Sequence, residues 1–125
     1  MSQTLLIIED NADNYYLMKF LLEKHGFTIM GADNGPDGIT MAQQLKPDGI
    51  LLDIQLPGMD GYAVARELVS HHELDGMPII AVTSYAMVGD RERVLEAGAT
   101  GYIEKPIDPD TFVGEITHYL SEGGK

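Results

Sequence analysis

The chain has 125 residues and no cysteine, which fits one domain with one core and excludes disulfides and thiol chemistry. With 20 acidic against 8 basic residues its formal net charge is −12, a surface that repels nucleic-acid phosphates and anionic lipid and favours cations or basic partners. No apolar stretch approaches the length of a membrane span, and "MSQ" runs into "TLLIIED" without a basic leader, so a cytoplasmic protein is expected.

In chain order, "TLLIIE" (4–9) reads as a strand. "NYYLMKFLLEKHG" (14–26) reads as a helix with Leu17, Met18, Leu21 and Leu22 on one face and Gly26 as its stop. "FTIMGA" (27–32) is a second strand, and "GPDGITMAQQLK" (35–46) a helix entered through Pro36 and closed before Pro47. "DGILLD" (48–53) is the third strand, followed by a Pro-Gly turn and a helix over 60–72. "MPIIAVTS" (77–84) is a strand, 89–99 a helix ended by Gly98, and 100–105 a strand. The last helix spans 108–122, with Pro109 in its first turn.

Five strands alternating with five helices imply an α/β domain with a parallel sheet covered on both faces. The strands are near-continuous apolar runs, as burial on both sides requires. A flavodoxin-like (βα)5 fold in the order 2-1-3-4-5 is expected, with its switch point between the first and third strands.

Sites in such sheets lie beyond the carboxyl ends of the strands. The first strand ends in Glu9-Asp10, the third in Asp53, the fourth in Thr83-Ser84 and the fifth in Lys105. Three acids, a hydroxyl and an amine thus converge on one edge, and an isolated buried carboxylate at Asp53 needs such partners. Asp10 or Asn11 also suits the N-cap of the first helix. Clustered carboxylates favour a divalent cation, and oxygen ligands in a half-open site suit Mg²⁺. Asp53 and Asp10 supply ligands, with Glu9 ligating directly or through water. A carboxylate can also be a nucleophile, with Lys105 and Thr83 holding phosphoryl oxygens, so Asp53 is a candidate phosphoryl acceptor. The histidines (25, 71, 72, 118) fall on helices or helix ends and read as surface residues.

"IIEDNADN" (7–14), "LLDIQLPGMDG" (51–61), "AVTSYAM" (81–87) and "GYIEKP" (101–106), in this order, resemble the receiver domain of two-component response regulators over essentially the whole chain. The resemblance implies that Asp53 is the phosphoacceptor, with Glu9 and Asp10 as the acidic pair. It implies Mg²⁺, which Mn²⁺ can replace, bound by Asp10, Asp53 and the backbone carbonyl of Gln55. Thr83 and Lys105 contact the phosphoryl group, and Tyr102 is a switch aromatic that moves inward when Thr83 turns toward the phosphate. The Lys105–Pro106 peptide is cis, and Gln55 and Tyr85 tune the lifetime of the phosphoryl group. The donor is a histidine kinase or a histidine phosphotransfer protein. The output is a downstream partner protein reached through the surface of the fourth helix, fifth strand and fifth helix. Residues 1–125 form the receiver with no output domain, a monomer able to dimerise on phosphorylation, with no direct nucleic-acid or membrane contact.

Three other readings remain open. A haloacid dehalogenase-like phosphatase also uses a strand-end Asp with Mg²⁺, but needs a second Asp where Gln55 stands. A flavodoxin-like flavin carrier needs a phosphate-binding loop where "EDNADN" places carboxylates. A receiver-like module that is never phosphorylated would keep the fold alone.

Overall fold

The computed structural model describes residues 3–56, 58–84 and 90–123. The elements run β1 (Thr4–Ile8), α1 (Ala12–Lys24), β2 (Thr28–Ala32), α2 (Gly35–Leu45), β3 (Gly49–Asp53) and α3 (Gly61–Val69). A short 3-10 turn (His72–Leu74) leads into β4 (Ile79–Thr83), α4 (Asp90–Ala97), β5 (Gly101–Glu104) and α5 (Phe112–Gly123). All neighbouring strands are parallel and the order is β2-β1-β3-β4-β5. The expected architecture is therefore the observed one.

The period of two along each strand feeds two cores. Leu5 and Ile7 of β1, Leu51 of β3 and Ile80 and Val82 of β4 face Met18 and Leu22 of α1 and Phe112 and Ile116 of α5. Leu6, Ile8, Ile50, Leu52 and Ala81 face the other way, onto Ile39, Ala42, Val64, Leu68 and Val94 of α2, α3 and α4. On α1 the expected apolar face holds, with Met18 and Leu22 fully buried and Leu17 and Leu21 only partly so.

Several boundaries differ from the sequence reading. β1 ends at Ile8, which leaves Glu9 just past the strand with its N–H still donating to the Ala32 carbonyl at 3.0 Å. The first helix begins at Ala12 because Asn11 is its N-cap, with Oδ1 accepting from the Asn14 N–H at 2.9 Å. The cap is Asn11, so Asp10 is released from that role. The third helix ends at Val69, where Ser70 Oγ donates to the Glu67 carbonyl at 2.6 Å. The fifth helix starts at Phe112, four residues later than expected. Asp108 organises a turn there: its Oδ1 accepts from Asp110 N–H at 2.9 Å and its carbonyl from Phe112 N–H at 2.9 Å. Pro109 therefore sits in that turn and not in the helix.

Candidate functional site

The ends of β1, β3, β4 and β5 bring the polar residues together. Register places Ile8 beside Leu52 and Asp53 beside Val82, so Glu9 and Asp53 emerge from adjacent strands. Thr83 pairs with Glu104, and its carbonyl accepts from the Lys105 N–H at 2.7 Å, which fixes the root of the lysine beside β4. The Lys105–Pro106 peptide bond is cis.

Glu9, Asp53 and Thr83 are buried, at 3%, 4% and 2% exposure. Lys105 Nζ lies 2.7 Å from Glu9 Oε1 and 3.6 Å from Asp53 Oδ2. The other oxygens are held by backbone: Asn11 N–H donates to Glu9 Oε2 at 3.2 Å, and Gln55 N–H to Asp53 Oδ1 at 3.0 Å. Glu9 Oε1 makes no hydrogen bond among the described residues, its counter-charge being the ammonium beside it. Burial pushes the Asp53 carboxyl up from 3.8 to about 7, helped by the adjacent Glu9 carboxyl. The Gln55 N–H and the Lys105 charge pull the other way.

Asp10 is exposed at the rim, and oxygens of Glu9, Asp10 and Asp53 all lie within 4.8 Å of one another. With all three carboxylates ionised, the one ammonium would leave two negative charges uncompensated. Such a set, two acids buried and one facing solvent, suits a divalent cation that keeps part of its water shell.

The loop after β3 makes room for this. Gly61 opens α3 where a Cβ would stand 2.4 Å from Ile54 Cα and 2.8 Å from the Asp53 carbonyl oxygen. Its N–H donates to the Ile54 carbonyl at 2.8 Å, so the helix start is laced directly onto the residue after Asp53. The Asp-Gly pair at 60–61 is the sequence signal for this close approach, which motif reading did not single out.

Tyr102 is buried, at 9% exposure. It pairs with Ala81 on β4 and belongs to the same core cluster. Gln55 is half-buried with only its backbone turned to Asp53 in a hydrogen bond. Tyr85 lies outside the described residues, as do Pro57 and Gly89. His71 departs from the expected surface placement. Its side chain is 28% exposed, 3.1 Å from Glu67 Oε2 and 3.4 Å from Glu73 Oε1, so it belongs to the α3 end and not to the acidic site.

An open parallel sheet in this order, with a buried aspartate, a lysine and further acids at its carboxyl edge, defines a flavodoxin-like α/β domain with a cation-binding switch point. The response regulator receiver domain model matches residues 5–117, and the chain belongs to that family. It is 39% identical over 122 residues to the polar-differentiation response regulator DivK of Brucella anthropi, covering 98% of this chain and 99% of that one. The receiver domain of a sensor histidine kinase from Pseudomonas aeruginosa PAO1, solved with a magnesium ion coordinated in the active site cleft, is similar at a TM-score of 0.88. Its identity is 30%, over 97% of this chain and 99% of that one. A CheY-like receiver domain protein from Methanospirillum hungatei JF-1 is also similar, with a TM-score of 0.88 and 30% identity over 98% of this chain and 97% of that one. The protein is thus a receiver domain of two-component signalling, which is favoured over the phosphatase and flavin-carrier readings.

Proposed function

We propose that Asp53 is the phosphoryl acceptor of this receiver. The observation that carries this is its placement: a buried carboxylate at the end of β3, with Oδ1 held by the Gln55 N–H and Oδ2 3.6 Å from Lys105 Nζ. An Asp53 oxygen attacks phosphorus, the N–P bond of a phosphohistidine breaks, and the imidazole leaves with the electron pair and takes up a proton. The phosphohistidine belongs to a histidine kinase or a histidine phosphotransfer protein.

The Lys105 ammonium then pairs with a phosphoryl oxygen, and Thr83 donates a hydrogen bond to another. Asp10, Asp53 and the Gln55 carbonyl are the residues to hold Mg²⁺, with Glu9 acting directly or through water. When bound there, Mg²⁺, or Mn²⁺ in its place, would supply positive charge to offset what builds on the transferred group. Gln55 and Tyr85, two residues after Asp53 and Thr83 in the sequence, tune the phosphoryl lifetime. Phosphorylation draws Thr83 toward the new group and Tyr102 follows it, a two-state element biased by a local charge change. The chain acts as a cytoplasmic switch for a partner protein, not as an enzyme with a separate substrate. It works as a monomer that can pair once phosphorylated.

Labelling with acetyl phosphate in the presence of Mg²⁺ tests the acceptor. Wild-type protein should form an acid-stable, base-labile phosphoryl adduct and Asp53→Asn should form none. Undiminished labelling of Asp53→Asn places the acceptor elsewhere. A wild-type chain that never labels, from acetyl phosphate or from a phosphohistidine donor, returns the protein to the non-phosphorylated module.

A further inference from the structure

We propose that the groove between α3 and α4 is a docking site for an acidic segment of a partner protein, with a carboxylate held between Arg66 and Arg93. Tyr62, Arg66, Arg93, Glu96 and Ala97 line a depression of about 240 Å³ there. Neither Asp53 nor the acids beside it line this depression. In a chain of net charge −12 with only 8 Lys+Arg, two arginines sharing one concavity are a local reversal of sign.

Neither arginine makes an ion pair among the described residues. Arg93 is instead held by an aromatic ring, with Cζ 4.4 Å from the centre of Tyr62. That contact restrains the guanidinium through its face and leaves its N–H donors for a ligand. Tyr62, Arg66 and Val69 follow one another at i, i+4 and i+7, so they share one face of α3. Val69 is 50% exposed and closes one end of the strip against Gly98, where a Cβ would stand 2.5 Å from Val69 Cγ1.

The charge on the rim selects the class of anion. Two arginines and Glu96 sum to one positive charge. A carboxylate neutralises it, whereas a phosphate dianion leaves one negative charge beside Glu96. Val69 adds an apolar contact. The fitting occupant is therefore a protein segment that presents Asp or Glu next to an apolar side chain. The groove is independent of the acceptor, so the chemistry at Asp53 stands or falls separately.

The test is a nitrogen-15 NMR titration of the full chain with acetyl-Ala-Glu-Leu-Ala-amide, its Gln counterpart and inorganic phosphate. The Glu peptide should give saturable shifts at Tyr62, Arg66, Val69 and Arg93, and the Gln peptide should give none. Arg66→Gln and Arg93→Gln should each weaken binding about tenfold, the effect of one charge-assisted hydrogen bond, with the nitrogen-15 spectrum away from the groove unchanged. Arg66→Lys should weaken it less, because the charge remains. Shifts that are absent, equal for both peptides or indifferent to the Gln substitutions overturn the proposal. Phosphate binding tighter than the Glu peptide overturns the carboxylate assignment.

Discussion

A carboxyl that keeps its proton to about pH 7 gives Asp53 a measurable signature. Its ordinary value is 3.8, so between 3.8 and about 7 the folded chain binds more protons than the unfolded one. Stability contributed by this group is complete below the lower value and is lost as pH rises through the upper one. The size is on the order of a few kcal/mol, set chiefly by desolvation and by Glu9. Urea unfolding without divalent ions should show wild-type stability falling from pH 5 to pH 8. Asp53→Asn keeps an oxygen for the Gln55 N–H but carries no charge. It should be flatter over that range and more stable than wild type at pH 8. Parallel curves for the two proteins contradict a raised Asp53. Mg²⁺ competes with the same proton, so its apparent affinity should rise across this interval, which titration calorimetry at several pH values checks.

At the scale of elements, the helix starts hold the site in place. Asn11 caps α1 while its N–H holds Glu9 Oε2, so one residue both begins a helix and orients an acid. Asn11→Ala removes only the cap and should cost about 1 kcal/mol in denaturant unfolding. Phosphoryl labelling should persist, since the backbone N–H remains. Gly61→Ala should cost more, about 2 kcal/mol or above, because its Cβ meets backbone that cannot move aside cheaply. It should also slow labelling by displacing the Asp53–Gln55 corner. Alternation of apolar runs, Gly and Pro stops, and acids at strand ends made the sheet order and the Glu9, Asp10, Asp53, Thr83 and Lys105 set legible in the sequence. The helix boundaries were less so. "DPDT" carries both a helix-start signature and a turn signature, and the Asp108 side chain decides for the turn. The Gly61 contact was also hidden, because it depends on where α3 lands on the strand end. His71 is drawn in by two carboxylates from different turns, which no local pattern announces.

The whole molecule carries a net charge of −12, and three of its acids meet at one point. Two kinds of cation response should therefore separate. Sodium chloride screens the general repulsion, with a Debye length of about 10 Å at 0.1 M, and should raise the melting temperature of every variant alike. Mg²⁺ at matched ionic strength should add a further increment by binding only the folded chain. At ten times its dissociation constant this is about 1.4 kcal/mol, or several degrees for a domain of this size. Asp10 is the exposed member of the set, so Asp10→Ala leaves the core intact. The variant should melt at or slightly above wild type without Mg²⁺, because one repelling charge is gone. It should keep the sodium response and lose most of the magnesium increment. Lys105→Met should melt below wild type without Mg²⁺, because Glu9 and Asp53 lose their ammonium, and should gain a larger magnesium increment while keeping the sodium response. Differential scanning fluorimetry of the three proteins across both salts decides the matter. If Asp10→Ala retains the full magnesium increment, the ion is bound elsewhere on the acidic surface, and the cluster at the ends of β1 and β3 is not its site.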